Sequence, residues 1–372
     1  MRLLHLSLRD FRNLERVEIA PSARATVAVG PNGQGKTNLL EGVFYLSTLK
    51  PLRASRLSEL VRFGAERARV AGRFLLGGAE REIAVEIAQG TRQAFVDGKK
   101  ASTLEEYFGG VAVVAFTPDD LDVVKGGPEG RRQFLDRAVF NRFPAYLREN
   151  RAYARALKAR NRLLKERAAP SYLESWDETL ATSGSRLWTR RRALLAELAP
   201  RALAAFAVIG RTAEPPSFTY APAHLDENLA TADEATLAGA LREALLRRRA
   251  RDIERGFTSV GPHADDLEIQ LGGRPARAFA SQGQQRALVL GWKIAEIENL
   301  AVSLGFLPLL LLDDVSSELD PERNAYLMGY LAQSGAQVFL TTTDPGLVRG
   351  AAGGDALWYR VRAGTVAPMS AP

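Results

Sequence analysis

The sequence predicts an α/β protein, in which a core of parallel strands carries an antiparallel β region and an inserted helical lobe. Three observations predict this fold class. A glycine-rich stretch, GPNGQGKTNLL, stands between a short apolar run and a helical pattern near the start of the chain. A second apolar run, PLLLLDD, ends in two carboxylates and lies in a strand–helix–strand order, which is typical of parallel sheets. Between these two regions, apolar residues recur at helical spacing and alternate with arginine.

Composition restricts the class of protein. The chain has 372 residues, 46% hydrophobic and 25% charged, which is ordinary for a globular protein and long enough for two lobes. It has no cysteine, which excludes disulfides, thiol catalysis and zinc held by cysteine. The histidines His5, His224 and His263 are scattered, so no histidine-rich metal site is expected. We find no secretory signal and no apolar run of membrane-spanning length, and we expect a cytoplasmic protein with no membrane partner.

The first 125 residues or so are predicted to form mostly strands. LLHLSLRDF alternates between apolar and polar residues, and ATVAVG is a short buried run. ARVAGRFLL, REIAVEIA and RQAFVDGKKA resemble an antiparallel meander with Asp97-Gly98 as its hairpin turn. VAVVAF predicts a further buried strand.

Residues 129–255 predict helices, which prolines at positions 144, 170, 200, 215 and 216 divide into separate segments. Strands return with DDLEIQL, and a helix over 284–303, the strand FLPLLLLDD, a helix from Pro321 and the strand AQVFLTTT follow. The predicted domains are therefore a core made of 1–128 and 256–372, and an inserted helical lobe of 129–255.

The glycine-rich stretch predicts a phosphate-binding loop. Gly30, Gly35, Lys36 and Thr37 fit the pattern G-x-x-x-x-G-K-[ST] between a strand and a helix. In such a loop the backbone N–H groups surround a phosphate, the lysine reaches the β- and γ-phosphates, and the hydroxyl ligates Mg²⁺. A chance glycine turn is the alternative, and the flanking strand and helix disfavour it.

The carboxylate pair predicts the metal and water side of the same site. A buried parallel strand delivers Asp313 and Asp314 to the sheet edge at which the phosphate-binding loop also opens. We expect Asp313 to hold Mg²⁺ through water and Asp314 to orient or deprotonate the attacking water. The alternative is a strand that simply ends at the protein surface, which is common. The phosphate-binding loop in the same chain makes this alternative less favourable.

The segment ASQGQQR resembles the signature of ABC-type ATPases, which has the form L-S-G-G-Q. Ser281, Gly283 and Gln284 match that form, whereas Ala280 and Gln282 depart from it. The resemblance implies that the signature serine and its helix N-terminus bind the γ-phosphate held by a second copy. A helix N-terminus with a hydroxyl is an anion receptor, which fits that role. Without the family resemblance, the alternative interpretation is that Ser281 is an ordinary helix N-cap.

Two further segments strengthen the resemblance. FRNL, with Arg12 and Asn13, is similar to a segment of SMC-like members that approaches the nucleotide, and VSSELDPER is similar to their D-loop, with Asp320 as its aspartate. Taken with GFTSVGPHADDLEI and VVAFTPDDLDVVKGGPEGRRQFLD, these segments resemble the RecF family of bacterial recombination proteins in the expected order.

The resemblance implies an ABC-type, SMC-like ATPase head with an inserted helical lobe. It implies an ATP-dependent homodimer with Mg²⁺, which binds double-stranded DNA and single-/double-strand junctions, marks gapped or junction DNA and helps load the recombinase. Recombination mediator proteins are the partners that it implies. The catalytic residues are then Lys36, Asp313 and Asp314, and the metal ligands are Thr37 and Asp313. The predicted nucleotide-binding residues are Arg12, Asn13, Gly30, Pro31, Asn32, Gly33, Gln34, Gly35, Lys36, Thr37, Asn38, Ser281, Gly283 and Gln284.

Four departures from the family pattern concern DNA binding and hydrolysis. Ala264 stands where the family more often has a basic residue, and no glutamine lies in 111–127, where an ABC head places its Q-loop. Thr343-Asp344 stand at the place of the switch histidine, and Asp314 replaces the usual glutamate with a shorter side chain. We therefore predict slow hydrolysis, with ATP acting more as a dimer switch than as fuel.

Positive charge is concentrated in the helical lobe. Between Arg131 and Arg167 there are 12 Arg or Lys residues against 3 Asp or Glu, in a chain of net charge +7. Arg131, Arg132 and Arg160 belong to this set, and one helix face carries the predicted DNA contacts, Arg151, Arg155, Lys158, Arg162 and Lys165. Their spacing of 4, 3, 4 and 3 suits phosphate contacts that do not read bases. A solvated surface helix is the alternative.

Other functions explain the motifs less completely. An SMC-like structural ATPase needs a long coiled coil, and no sustained heptad pattern occurs. An ABC transport subunit needs a coupling glutamine and no basic helical insertion. A small-molecule kinase shares the phosphate-binding loop but leaves SQGQQR and SSELD unexplained.

Overall fold

A computed structural model describes residues 1–53, 56–121, 123–223 and 231–372. His224 lies outside these described residues. Two compact units are present, one formed by Met1–Leu121 with Glu296–Pro372 and the other by Asp122–Ala295. The second unit extends beyond the predicted insertion of 129–255, because the strand DLEIQL pairs with a strand inside the helical region.

The strands of the described residues are β1 (Arg2–Phe11), β2 (Leu14–Ile19), β3 (Ala25–Val29), β4 (Arg67–Leu76), β5 (Ala79–Ala88), β6 (Thr91–Val96), β7 (Lys99–Lys100), β8 (Val113–Phe116), β9 (Pro216–Ala221), β10 (Asp266–Leu271), β11 (Arg274–Pro275), β12 (Leu309–Asp313), β13 (Val338–Thr342), β14 (Leu357–Arg362) and β15 (Thr365–Met369). The α-helices are α1 (Lys36–Thr48), α2 (Leu104–Phe108), α3 (Pro118–Leu121), α4 (Pro128–Arg142), α5 (Tyr146–Lys165), α6 (Pro170–Ile209), α7 (Glu234–Arg255), α8 (Ala276–Phe279), α9 (Gln282–Leu304), α10 (Pro321–Ser334) and α11 (Arg349–Ala352).

The first unit contains the predicted parallel sheet, with strand order β15-β14-β3-β13-β12-β8. β8, β12, β13, β3 and β14 run parallel, and β15 closes the edge as an antiparallel strand. Every residue of β12 and β13 is buried, which explains why their sequences are almost continuously apolar. The parallel order places the ends of β3 and β12 at one edge of the sheet.

The same unit contains the predicted antiparallel sheet, with strand order β2-β1-β4-β5-β6-β7. Its alternating sequences bury one face, on which Leu6, Leu8 and Val70 are fully buried. The predicted hairpin turn at Asp97-Gly98 is confirmed, since both residues have positive φ, 49° and 76°, between β6 and β7.

The second unit is built mainly from α4 to α7 with a small sheet of order β11-β10-β9. Two sequence predictions were wrong here. Pro200 does not divide a helix, because α6 continues through it from Pro170 to Ile209 while Leu198 and Ala202 on either side are buried. Residues Pro216–Ala221 form the strand β9 rather than a helix, and β9 pairs with β10. Buried and exposed residues alternate at the start of this strand, but the helical patterns on both sides made such a short alternation hard to recognise in the sequence.

No helix of the described residues is sufficiently long and apolar to cross a membrane.

Candidate functional site

The phosphate-binding loop connects β3 to α1 through positions that only glycine can occupy. A Cβ atom on Gly30 would lie 2.2 Å from the carbonyl oxygen of Val361 in β14. Gly35 has φ 113°, and a Cβ atom there would lie 2.7 Å from Asn13 Oδ1. The motif glycines therefore allow the backbone to pack closely against two neighbouring segments while the loop stays open at its other side.

Lys36 is buried at the first position of α1. Its Nζ donates hydrogen bonds to the carbonyl oxygens of Gly30 at 2.5 Å and Pro31 at 3.1 Å. Burial lowers the pKa of Lys36, although the nearby carboxylates of Asp314 and Asp313 oppose this effect. Nζ also lies 3.5 Å from Asn32 Oδ1, at the same loop. A partly desolvated ammonium at this position is well placed to attract an anion.

Asp313, at the end of β12, is the centre of a hydrogen-bonded group. Its carboxylate accepts from Thr37 Oγ1 at 2.8 Å and from Thr341 Oγ1 at 2.9 Å. Arg53 Nη2 also donates to Asp313 Oδ2, at 2.8 Å. The hydroxyl and carboxylate oxygens of Thr37 and Asp313 are the hard ligands that Mg²⁺ prefers, so these residues fit the cation expected with ATP. Arg53 would have to release Oδ2 for that oxygen to serve as a ligand.

Asp314 follows with an unusual backbone and one unsatisfied carboxylate oxygen. Its φ is 51°, in the left-handed region, and its Oδ1 is buried without a hydrogen-bond partner. Burial raises the pKa of Asp314, whereas the Lys36 ammonium acts in the opposite direction. Strained backbone and unsatisfied polar atoms of this kind cluster at functional sites.

These residues surround one cavity of about 350 Å³. Its lining residues are Asn32, Gly33, Gly35, Lys36, Thr37, Asn38, Arg53, Pro118, Asp313 and Asp314. The structure thus brings the predicted catalytic and metal-binding residues together around an opening that the phosphate-binding loop forms. Pro31 is exposed on the same loop.

Three other predicted nucleotide-binding side chains, those of Arg12, Asn13 and Asn38, make contacts within the protein. Asn13 Nδ2 donates to the carbonyl oxygen of Gln34, and Asn38 Nδ2 donates to Asn13 Oδ1. Arg12 makes a two-pronged contact with the buried Glu41, with Nε 2.7 Å from Oε2 and Nη2 3.1 Å from Oε1. Arg12 would have to leave Glu41 to reach a phosphate, so its nucleotide contact stays a prediction.

The signature residues lie in the second unit at the start of α9. Ser281 is exposed, and its N–H donates to Gln284 Oε1 at 2.8 Å while its hydroxyl accepts from the Gln284 N–H at 3.3 Å. This reciprocal pair is a capping box, which fixes the first turn of the helix. Gly283 lies within that turn and is half-buried. The helix N-terminus is thereby presented to solvent together with a hydroxyl.

All five predicted DNA-contacting residues lie exposed on α5: Arg151, Arg155, Lys158, Arg162 and Lys165. Lys158, Arg162 and Lys165 border a shallow groove, and Arg162 pairs with Glu166 at 2.8 Å. Their DNA contacts stay a prediction.

Three other basic residues of the predicted cluster are structural instead. Arg131 bonds Asp266, Arg132 bonds the carbonyl oxygen of Asp265, and Arg160 is fully buried between Asp177 and Asp252. The charge count of this region therefore overstates its exposed positive charge.

Sequence reasoning missed several residues that organise the site, namely Glu41, Arg53, Thr341, Ala363 and Gly364. Each reaches the site through tertiary contacts with a motif residue. None lies in a recognisable pattern, so the sequence carried no signal for them.

Comparison with known proteins identifies the family. The family model of the RecF/RecN/SMC N terminal domain matches residues 2–361. The DNA replication and repair protein RecF of Myxococcus xanthus is 72% identical over 369 residues, which cover 99% of this chain and 97% of that protein.

Solved structures agree with this assignment. Two structures of the recombination mediator protein RecF in the RecFOR pathway, RecF–ATPrS and RecF–ATP, superpose with TM-scores of 0.89 and 0.88 at 31% identity. They cover 99% of this chain, and this chain covers 98% and 97% of theirs. The predicted ABC-type, SMC-like head fold and the predicted resemblance to RecF are confirmed. The chain therefore belongs to the RecF family of DNA replication and repair proteins.

Proposed function

We propose that the protein binds ATP with Mg²⁺ in the cavity at the phosphate-binding loop, dimerises on binding it, and attaches to DNA during recombinational repair and replication restart. The observation that carries this proposal is the convergence of Lys36, Thr37, Asp313 and Asp314 on one cavity. Relatives named RecF, including a RecF–ATP structure, support the nucleotide and the pathway.

Within the cavity, each residue has a distinct role. The loop N–H groups and the Lys36 ammonium hold the β- and γ-phosphates. Thr37 and Asp313 would hold Mg²⁺, which when bound neutralises phosphate charge. Asp314 orients the attacking water and accepts its proton, and its short side chain supports slow hydrolysis in which ATP serves as a switch.

Dimerisation follows from the other half of the site. Ser281 and the capped N-terminus of α9 form an exposed anion receptor, which a γ-phosphate bound by a second copy would complete. ATP is then shared between the phosphate-binding loop of one copy and the signature of its partner.

DNA binding is assigned to the exposed basic face of α5. Five cations on one face suit the regular spacing of phosphates and carry no base-specific information. We propose that the dimer marks gapped or junction DNA and acts with recombination mediator proteins to load the recombinase. The alternatives, an SMC-like structural ATPase and a transport subunit, gain no support from relatives that match the chain along its whole length.

The test is the mass of the protein in solution with and without ATP and Mg²⁺, measured by size-exclusion chromatography with light scattering. We expect ATP to convert monomers to dimers and Ser281→Arg to abolish the conversion, because a bulky cation would block the shared phosphate site. Ser175→Arg, at an exposed serine of α6, is the matched control and should still dimerise. Monomers of the unaltered protein under all conditions would overturn the dimer proposal.

A further inference from the structure

The hairpin turn between β14 and β15 contacts the phosphate-binding loop directly. The N–H of Ala363 donates to Gln34 Oε1 at 2.8 Å, and the N–H of Gly364 donates to the Gln34 carbonyl oxygen at 3.0 Å. Asn13 Nδ2 donates to the same carbonyl oxygen at 3.1 Å. Two donors from different parts of the chain therefore fix the direction of one loop carbonyl.

Fixing this carbonyl also fixes the next N–H group. The Gln34–Gly35 peptide is trans and planar, so the Gly35 N–H points away from the Gln34 carbonyl oxygen. Because that oxygen faces the hairpin turn and Gly35 lines the cavity, the Gly35 N–H is directed to the cavity side. A backbone N–H with a fixed direction toward an anion site costs no reorganisation when the anion binds.

The packing around these bonds leaves no free space. A Cβ atom on Gly364 would lie 2.2 Å from the carbonyl oxygen of Asn13, and one on Gly35 would lie 2.7 Å from Asn13 Oδ1. A Cβ atom on Gly30 would in turn lie 2.2 Å from the carbonyl oxygen of Val361, in β14. The hairpin, the Asn13 segment and the loop can therefore hardly shift relative to one another.

We infer that Ala363 and Gly364 are positioning residues of the phosphate site, which hold the Gly35 N–H in the orientation that binds a nucleotide phosphate. The inference rests on the proposed nucleotide site and adds a structural element to it from the C-terminal end of the chain. Neither residue touches the phosphate, because each acts through Gln34.

The test compares two glycines in turns of the same shape. Gly364 has φ 78° and Gly98, in the turn between β6 and β7, has φ 76°, but a Cβ atom on Gly98 would meet nothing within 4 Å. Gly364→Ala and Gly98→Ala thus incur the same left-handed strain, and only Gly364→Ala displaces the Asn13 segment. Calorimetric titration with ADP and with inorganic tripolyphosphate measures the phosphate contribution directly.

We expect Gly364→Ala to weaken both ligands by the same factor, about tenfold or more, since a hydrogen bond to a charged group is removed. Gly98→Ala should bind as the unaltered protein does, with a smaller decrease in Tm, because its Cβ atom adds the left-handed strain without a clash. Hydrogen exchange of the loop in the ligand-free protein should rise only in Gly364→Ala. Gln34→Ala, which removes the acceptor of the Ala363 N–H, should produce smaller changes in the same direction and serves if Gly364→Ala does not fold.

Two results would overturn the inference. Affinities of Gly364→Ala within about twofold of the unaltered protein would show that the turn does not position the loop. Equal decreases in affinity in Gly98→Ala would assign the effect to general destabilisation. If the unaltered protein bound neither ADP nor tripolyphosphate, the proposed nucleotide site itself would fail, which is a distinct outcome.

Discussion

Asp314 combines an unfavourable backbone with an unfavourable side-chain environment. Its φ of 51° is sterically disfavoured for a residue with a side chain, and its buried Oδ1 has no hydrogen-bond partner. Both features lower the stability of the fold, and the charge of the neighbouring Lys36 offsets only part of the desolvation that raises the pKa of Asp314. Such costs are consistent with a carboxylate whose geometry serves chemistry.

Hydrolysis should therefore depend on pH through Asp314. Only the ionised carboxylate can accept a proton, and burial raises its pKa, so the rate should rise with pH through a pKa above the ordinary range of aspartate. The measurement is ATP hydrolysis at saturating ATP and Mg²⁺ across pH, with circular dichroism to establish that the fold persists. Asp314→Asn should lower the rate of hydrolysis and abolish its rise with pH in the acidic range. If the rate of Asp314→Asn still rose with pH in the same way, another group would be responsible for that rise.

Arg160 and Arg162 show how two arginines of one helix differ in role. Arg160 is fully buried and donates to Asp177, Asp252 and Thr258. Arg162 is largely exposed and forms an ion pair with Glu166, the C-cap residue of α5 four positions further along the chain. Removing Arg160 leaves the buried Asp252 without this cation, while Asp177 keeps its contact with Arg249 at 2.9 Å. The exposed pair of Arg162 is instead screened by solvent.

Arg160→Met should lower the free energy of unfolding by about 3–5 kcal/mol, and Arg162→Met by less than about 1 kcal/mol. Urea unfolding followed by circular dichroism provides the comparison. DNA affinity should show the reverse order for folded protein, because Arg162 lies on the exposed face of α5. A stable Arg160→Met protein would contradict the structural role of this arginine.

At the scale of elements, the turn between β14 and β15 has a backbone conformation that its sequence does not favour. Ala363 has φ 47° and Gly364 has φ 78°, so both central residues have the positive φ of a type I′ turn. Alanine is unfavourable at such a position, whereas asparagine tolerates it. The contact that Ala363 makes with Gln34 uses only its backbone N–H, so its side chain can change while that bond is kept.

Ala363→Asn should therefore stabilise the protein by about 0.5–1 kcal/mol without weakening nucleotide binding. Ala367→Asn, at an exposed position of β15 in the same hairpin, is the control and should give no gain. Urea unfolding measures the first effect and ADP titration the second. A lower stability of Ala363→Asn would show that its side chain disturbs the contact with the loop.

Sequence patterns predicted elements well where one period continued without interruption. The buried strands β12 and β13 and the helix between them were recognised from apolar runs and a proline position. The prediction failed at Pro200, because buried contacts on both sides of that residue outweigh the absence of one helical hydrogen bond. It also failed at β9, a six-residue strand whose partner β10 lies far away in sequence.

At the scale of the whole molecule, charge is unevenly exposed. The chain carries a net charge of +7, but Arg131 and Arg160 of the basic region are buried and held in ion pairs with Asp266 and Asp177. The exposed face of α5 is the cationic surface that the DNA proposal uses. Binding through phosphates releases counterions, so affinity should fall steeply with salt.

Replacing Lys158, Arg162 and Lys165 by glutamine should weaken binding to duplex DNA and reduce the salt slope by about one for each phosphate that is no longer neutralised. Fluorescence anisotropy of a gapped duplex at about 50 to 200 mM salt, in the presence of ATP, measures both quantities. Glutamine at Lys99 and Lys100, which are exposed in the first unit, provides a control that also removes positive charge. An unchanged slope in the α5 variant would place the DNA elsewhere.

Sequence patterns were sufficient to predict the phosphate-binding loop, the carboxylate pair, the α/β class and the family, because each is carried by short motifs that can be recognised one by one along the chain. The tertiary structure alone decided which arginines are buried, that Arg53 and Thr341 share Asp313, and that the β14–β15 turn holds Gln34. Such contacts join distant segments, and their energy depends on burial and on distances that no local pattern encodes. Short motifs predict which chemical groups a site contains, whereas the packed fold determines how those groups are oriented.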